Sequence, residues 1–141
     1  QGYSSAASDV YKRQHNEFST PEAVYLEPPM DRVRWQKHTV ILTNRRSYSA
    51  TNDFVNRMKQ LDRVTVIGDK TGGGSGLPFS SELPNGWSVR FSASPMYDPN
   101  MKHLEFGIKP DKKVDITSED YNKGIDTIIE TAREYLHNHE R

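Results

Sequence analysis

Two serines, Ser47 and Ser49, lie in the segment TNRRSYSATNDFV, residues 43–55, at a position that suits two different roles. The apolar run HTVIL before them predicts a buried strand, and the apolar spacing after them predicts a short amphipathic helix. At a strand-to-helix turn, backbone N–H groups point outward and the helix dipole favours negative charge. A nucleophilic serine belongs in such a place, and so does an ordinary N-cap serine.

The composition of the 141-residue chain excludes several other kinds of chemistry. Its length suits one domain, and because 19 basic and 19 acidic side chains cancel, we expect no nucleic-acid partner. No apolar run approaches the length of a membrane span. The absence of cysteine excludes disulfides, thiolate metal sites and cysteine nucleophiles. The five histidines are scattered without zinc-type spacing, so we expect no metal and no other cofactor.

The elements around the two serines predict an α/β fold. A strand over residues 39–42, a helix over 49–61 and a strand in RVTVIG indicate a parallel pair with a helical crossover. Residues 15–36 contain three prolines and are predicted to be irregular. Further along, the Asn85–Gly86 turn predicts a hairpin, followed by a turn-rich segment, a strand near 114–116 and a closing helix over 118–137.

The segment GDKTGGGSGLP, residues 68–78, places three consecutive glycines after the second predicted strand. It lacks the Gly-Lys-Ser/Thr ending of a P-loop, and a strand pattern follows it where a dinucleotide fingerprint would open a helix. Phosphate binding is therefore disfavoured. Two interpretations remain, a flexible loop and a backbone that approaches a substrate closely.

The N-terminal segment QGYSSAASDVYKRQ is small, polar and aperiodic, and it shows no signal-peptide pattern. Its string SAASDVYKRQ resembles a translated sequencing-adapter sequence. We therefore interpret residues 1–14 as a non-native leader and residues 15–141 as the natural part of the chain. On this interpretation the upstream sequence was lost and the chain is a fragment of a longer protein.

The order of the motifs resembles the C-terminal portion of the catalytic domain of S41 serine peptidases, the tail-specific or C-terminal-processing proteases and their tricorn-like relatives. Their T-A-S-A-S-E-like stretch, whose first serine is the nucleophile, is matched by S-Y-S-A-T-N with Ser49 in that place. Their V-G-E-x-T-x-G and G-I-x-P-D landmarks are matched by IGDKTGG and by residues 107–111. The resemblance covers roughly residues 35–116 and implies a partial domain of crotonase-like β-β-α architecture, as in the ClpP peptidases.

By this resemblance Ser49 is the nucleophile and the Ala50 backbone N–H is half of the oxyanion hole. The family's Ser/Lys members carry the general-base lysine at the position of Gly74, so this chain looks like the branch that uses serine, histidine and glutamate. Glu105 matches the orienting acid of that branch, whose histidine comes from a segment well upstream of the nucleophile. The glycine loop would bind a polypeptide substrate as an added strand, through Gly72, Gly73 and Gly74.

Three functions stay open at this level. The first is a serine endopeptidase whose C-terminal portion, lacking the base and the upstream oxyanion loop, is inactive alone. The second is a non-catalytic peptide-binding relative, and the third is a crotonase-type acyl-CoA enzyme, which the G-I-x-P-D landmark fits less well. Family members are often extracytoplasmic, which is the sole indication of a compartment, the periplasm or cell envelope.

Each proposed site residue also has a structural explanation. Ser47 can cap the helix with Ser49 one residue inside it, and we expect Ser47 to be the cap. Glu105 can be a solvated loop carboxylate. The glycines can be a flexible loop beside the hairpin.

Overall fold

The computed structural model describes residues 5–7, 20–25, 27, 30–92 and 94–139. Its helices are α1 Ala50–Met58, α2 Ser118–Asn122 and α3 Thr127–His139. Its strands are β1 Ser5–Ala7, β2 Glu22–Val24, β3 Thr39–Thr43, β4 Val64–Gly68, β5 Pro78–Glu82, β6 Ser88–Ser92, β7 Met96–Tyr97 and β8 Lys112–Lys113. The predicted α/β class is confirmed.

A parallel sheet in the order β3–β4–β8 positions the segments of interest. β3 and β4 pair from Thr39 opposite Val64 to Thr43 opposite Gly68, and α1 is the crossover between them. The predicted strand–helix–strand unit is confirmed, with the β-branched runs TVILT and VTVIG as its strands. Because parallel strands end at the same edge, the turn after β3 and the glycine loop after β4 start side by side.

The core of the described residues is small. Val66 and Ile67 of β4 are fully buried, α1 contributes Val55 and α3 contributes Ala132. α3 packs against β3 and β4, and Thr65 Oγ1 donates a hydrogen bond of 2.8 Å to the Tyr135 hydroxyl. The apolar side chains that stay exposed outnumber those that are buried, and many of them lie on the hairpin and in the segment before β3.

The predicted hairpin is confirmed as β5 and β6, which pair antiparallel with Phe79 opposite Phe91. Asn85 and Gly86 form its turn, where Gly86 has φ 82° and the Trp87 N–H donates to Asn85 Oδ1 at 3.1 Å. The rings of Phe79 and Phe91 lie 5.4 Å apart on one face of the hairpin.

The prediction of a single closing helix over 118–137 was wrong, because two helices, α2 and α3, occupy this region. The backbone turns at Gly124, which has φ 69°. Its N–H donates to Tyr121 O at 3.1 Å and the Ile125 N–H donates to Asp120 O at 2.9 Å, the two bonds of a Schellman motif that ends α2. α2 begins with a side-chain cap, since Thr117 Oγ1 accepts from the Asp120 N–H.

Two further predictions differ from the structure, and both concern short strands. The region 15–36, predicted to be irregular, contains β2, and the strand predicted near 114–116 lies two residues earlier as β8. β2 pairs antiparallel with β1, which also pairs with β7 in the segment predicted to be turns. β1 belongs to the segment interpreted as a non-native leader. That origin stays a prediction, because backbone pairing does not depend on particular side chains.

Asp111, the last residue of the G-I-x-P-D landmark, is bound to the middle strand of the sheet. Its Oδ2 accepts from the Val66 N–H at 2.9 Å, and its own N–H donates to Val66 O at 2.8 Å. Its Oδ1 forms an ion pair of 2.6 Å with Lys59 Nζ on the segment after α1. This carboxylate therefore joins three segments of the chain.

We expect the substitution Asp111→Ala to lower the free energy of unfolding by about 2–3 kcal/mol, since it leaves the buried Val66 N–H without a partner. The matched control is Asp115→Ala, which removes an ion pair between two exposed side chains and should cost under about 1 kcal/mol. Urea denaturation followed by circular dichroism measures both. Equal losses in the two variants would contradict this account of Asp111.

Candidate active site

Ser49 occupies the N-cap position of α1 in a strained conformation, with φ 58° and ψ −123°. A non-glycine residue pays about 1–3 kcal/mol for such a sparsely populated region, and strain of this kind concentrates at functional sites. The half-buried Ser49 side chain forms no capping hydrogen bond. Its hydroxyl is thus held at a sharp strand-to-helix turn without serving the helix, which is the geometry of a nucleophile elbow.

The prediction that Ser47 caps the helix, with Ser49 inside it, was wrong. Ser47 Oγ accepts from the Asn44 N–H at 3.2 Å, and the Ser47 N–H donates to Asn44 O at 2.9 Å. These bonds close a turn directly after β3, and the chain needs two more residues before its backbone becomes helical. Ala50 is therefore the first helical residue, and its N–H is among those without a partner inside the helix.

The glycine loop packs directly against the turn that carries Ser49. The Gly72 N–H donates to Ser47 O at 2.9 Å, and the Ser49 N–H donates to Gly73 O at 2.8 Å. Tyr48, between them, pairs with Gly73 as an isolated parallel bridge. A Cβ on Gly72 would overlap the backbone of the turn. The loop thus has a structural need for glycine, and its contact with substrate stays a prediction.

Glu105 lies on the other side of the glycine loop from Ser49. Its backbone oxygen accepts from the Gly74 N–H at 3.0 Å, and a Cβ on Gly73, which has φ 79°, would overlap that oxygen. Glu105 Oε2 accepts from Ser92 Oγ at 3.2 Å, at the end of β6. The structure therefore brings the predicted nucleophile and the predicted acid to the two sides of one pair of glycines.

Asn52, which the sequence analysis missed, is the fully buried centre of a hydrogen-bond network beneath these segments. Its Oδ1 accepts from Thr71 Oγ1 at 2.6 Å, and its Nδ2 donates to Ser75 Oγ at 2.7 Å and to Leu104 O at 3.1 Å. One turn of α1 after Ser49, a single amide thus ties the helix to the glycine loop and to the Glu105 segment. The sequence contained one signal that could have pointed to Asn52, a polar residue among the apolar positions of α1.

Thr71 and Gly107 explain why two of the sequence landmarks occur together. The Ile108 N–H donates to Thr71 Oγ1 at 2.6 Å, and the Thr71 N–H donates to Ile108 O at 3.0 Å. A Cβ on Gly107, which has φ 84°, would overlap Thr71 O. The threonine of IGDKTGG and the glycine of the G-I-x-P-D landmark are therefore two sides of one close backbone contact.

Comparison with protein families identifies the fold that this arrangement belongs to. Residues 3–114 match the model of peptidase family S41. The chain belongs to peptidase family S41. The resemblance stated from the three landmarks is thereby confirmed.

Several solved structures are similar to this chain. A candidate peptidase from Parabacteroides merdae is 60% identical, with a TM-score of 0.88 over 95% of this chain and 42% of that chain. Mature CPAF complexed with lactacystin is 22% identical, with a TM-score of 0.68 over 86% of this chain and 26% of that chain. The photosystem II D1 C-terminal processing protease is 18% identical, with a TM-score of 0.56 over 81% of this chain and 28% of that chain.

CPAF and the D1 processing protease, which are under 25% identical to this chain, show that it shares their fold. The chain spans less than half the length of each of the three proteins. No curated protein sequence matches it significantly.

Position 74, where the resemblance places the base of Ser/Lys members of S41, has no room for a side chain. A Cβ on Gly74 would overlap atoms Cε2 and Cζ of the Tyr48 ring, and the backbone there has φ 73°. Tyr48 therefore fills the volume in which a lysine would begin. The structure agrees with the departure from the Ser/Lys pattern seen in the sequence.

Charges on the turn between β3 and α1 are partly compensated. The guanidinium Nε of Arg45 lies 3.4 Å from Asp69 Oδ2, on the segment between β4 and the glycines. A hydrogen bond from the Lys70 backbone holds the pKa of Asp69 below its usual value, and the charge of Arg45 lowers this pKa further. Asp69 thus stays ionised at all pH values at which a histidine base could act.

Within the described ranges, no cluster of three or more metal-binding side chains is present. None of the described helices is both long and apolar enough to cross a membrane.

Proposed function

We propose that this chain is the nucleophile-bearing portion of an S41 serine peptidase domain that cleaves polypeptides through an acyl-enzyme intermediate. The observation that carries the proposal is Ser49, strained and uncapped at the start of α1. Strain with no structural benefit is maintained where function requires it. The adjoining Ala50 N–H, at the positive end of the helix dipole, supports a role in binding the developing oxyanion.

In the proposed reaction, Ser49 Oγ attacks the carbonyl carbon of the scissile peptide bond and gives its proton to a histidine. The histidine passes that proton to the leaving amine as the C–N bond breaks, and water then hydrolyses the acyl-enzyme with the same histidine as base. The oxyanion accepts hydrogen bonds from the Ala50 N–H and from a donor on an upstream loop. Loss of one such donor typically reduces kcat by about 10²–10³.

The histidine base is proposed to come from upstream of this chain. His38 precedes the amino end of β3, away from Ser49, and its ring contacts that of His139. His103 uses Nδ1 to accept a hydrogen bond from the Glu105 N–H at 3.1 Å. Both therefore have structural contacts of their own. Glu105 is proposed to orient the upstream base through its carboxylate, either directly or through the hydroxyl of Ser92, which already donates to it.

The remainder of the catalytic domain is proposed as the partner that covers the exposed apolar surface. Both strands of the β5–β6 hairpin are exposed along their whole length, with Phe91 51% and Trp87 70% accessible. A two-stranded hairpin without a covered face is marginal in water. The similar peptidase from Parabacteroides merdae has more than half of its length outside the matched part, which supports this assignment.

A non-catalytic peptide-binding relative is the second candidate function. Its peptide would bind to the glycine loop through backbone atoms other than the Gly72 N–H, Gly73 O and Gly74 N–H, which are bonded within the chain, and this holds whether or not Ser49 reacts. An acyl-CoA enzyme of the crotonase type remains the third. Reactivity of Ser49 distinguishes the peptidase from the peptide-binding protein. The acyl donor, a polypeptide or an acyl-CoA thioester, distinguishes the peptidase from the acyl-CoA enzyme.

The experiment treats the full-length protein, with its natural upstream sequence, with a fluorophosphonate probe and maps the labelled peptide by mass spectrometry. We expect a single label on Ser49, and none in the variant Ser49→Ala. Hydrolysis of an unstructured polypeptide, and not of an acyl-CoA thioester, is the expected activity. A folded full-length protein that is neither labelled nor proteolytic would overturn the peptidase assignment in favour of the peptide-binding one.

A further inference from the structure

Tyr48, the residue before Ser49, lays its ring along the backbone of the glycine loop. A Cβ on Gly72 would lie 3.4 Å from Cδ2 of this ring, and one on Gly74 would overlap its Cε2 and Cζ. The ring therefore extends from Gly72 to Gly74 with no side chain beneath it. Because only glycine leaves this space, the ring and the loop fit each other as a pair.

The other side of the Tyr48 ring is exposed in the part of the chain that the structure describes. The residue is 58% exposed, and its hydroxyl forms no hydrogen bond with the described part of the chain. Its backbone is nonetheless fixed on both sides, since the Gly72 N–H donates to Ser47 O and the Ser49 N–H donates to Gly73 O. A large aromatic surface is thus held in place next to the proposed nucleophile, and the described residues leave it partly exposed. Such a preorganised surface binds a ligand at a low entropic cost.

We propose that Tyr48 is the floor of a binding site for a large apolar or aromatic side chain of the polypeptide substrate, adjacent to the bond that is cleaved. This inference rests on the proposed function. The Cα atoms of Tyr48 and Ser49 are about 3.8 Å apart, as in any trans peptide. A substrate carbonyl bonded to Ser49 Oγ is one bond from its own Cα, and the proposal places the side chain on that Cα against the ring.

The local charge also favours an apolar occupant. Arg45, one of the two cations on the turn, is already paired with Asp69. An aromatic floor gains most from another ring or a branched aliphatic side chain, which stacks on its face and removes apolar surface from water. The competing occupant is an acidic side chain attracted by Arg46, and the experiment includes it.

The test measures kcat/KM of the full-length protein on three peptides that differ in one residue on the acyl side of the cleaved bond, Phe, Ala or Glu. We expect the Phe peptide to be preferred. In Tyr48→Ala the Phe-to-Ala ratio should fall by about 10–100-fold, the range that pocket contacts supply. Tyr48→Phe should keep the ratio within about threefold. The matched control is Tyr121→Ala, which removes a 75% exposed tyrosine on α2 and should leave the ratio unchanged.

A second variant, Gly74→Ala, reaches the same site without altering the ring itself. Its methyl group must displace the Tyr48 ring, so we expect the same fall in the Phe-to-Ala ratio. The rate of fluorophosphonate labelling of Ser49 is measured in parallel. Labelling with an unchanged ratio in Tyr48→Ala, or a preference for the Glu peptide, would overturn this inference alone. Absence of labelling in the unmodified protein would instead overturn the proposed function.

Discussion

Replacement of Ser49 by alanine in the full-length protein should abolish peptide hydrolysis while leaving the fold intact. We expect kcat to fall by roughly 10⁴–10⁶, as when the nucleophile of a catalytic triad is removed. The stability of the domain should change by less than about 0.5 kcal/mol, because the Ser49 hydroxyl makes no capping bond and its strain lies in the backbone, which alanine shares. Activity is measured on an unstructured polypeptide and stability by urea denaturation.

Ser47→Ala is the matched control, two residues earlier on the same turn. Its hydroxyl accepts from the Asn44 N–H, so its loss should cost about 1 kcal/mol of stability. Hydrolysis should remain within about tenfold of the unmodified rate. The two serines are therefore expected to show opposite patterns, one affecting rate and the other stability. A stability loss in Ser49→Ala with full retention of hydrolysis would return Ser49 to the role of a helix cap.

The parallel β3–α1–β4 unit was predictable because strand and helix periodicities are local properties of the sequence. The β5–β6 hairpin was predictable for the same reason, since Asn-Gly strongly favours a tight turn. The break between α2 and α3 carried a local signal as well, Gly124, which the apolar spacing on both sides of it concealed. β1, β2 and β7 carried no such signal, because short strands form through pairing with distant segments.

At the site, sequence reasoning found the residues with recognisable chemistry and missed the ones that hold them in place. Ser49 and Glu105 were named from the motif order, and the structure places them on the two sides of Gly73 and Gly74. Their contact with those glycines depends on backbone geometry that no pattern of residue types encodes. The same holds for Tyr48, whose ring occupies the space above Gly74. Steric complementarity of this kind appears only when two segments meet.

Strain at Ser49 needs a rigid surrounding, and Asn52 supplies it. A residue kept in a sparsely populated conformation relaxes unless neighbouring contacts over-determine its position. Here the backbone bonds to Gly72 and Gly73 hold the turn from one side, while the Asn52 amide holds the helix start from the other. We therefore expect the stability of this network and the reactivity proposed for Ser49 to be coupled.

We expect Asn52→Leu, a change of similar volume, to lower the free energy of unfolding by about 3–5 kcal/mol. It leaves the Thr71 hydroxyl, the Ser75 hydroxyl and the Leu104 carbonyl without their partner in a buried site, and each unmet group costs about 1–3 kcal/mol. The control is Thr51→Val, an exposed position on the same turn of α1, which should cost under about 0.5 kcal/mol. Urea denaturation of the full-length protein gives both values.

The same network can be tested for its effect on the nucleophile. If Asn52 positions Ser49, then fluorophosphonate labelling of Ser49 in Asn52→Leu should slow by at least about tenfold under conditions in which the variant is still folded. Thr71→Val removes the hydroxyl on the other side of the bond, so the two substitutions should be non-additive by about 1–3 kcal/mol in a double-mutant cycle. Additive losses with an unchanged labelling rate would reduce Asn52 to a buried packing residue, and the strained turn would then be held by the glycine loop alone.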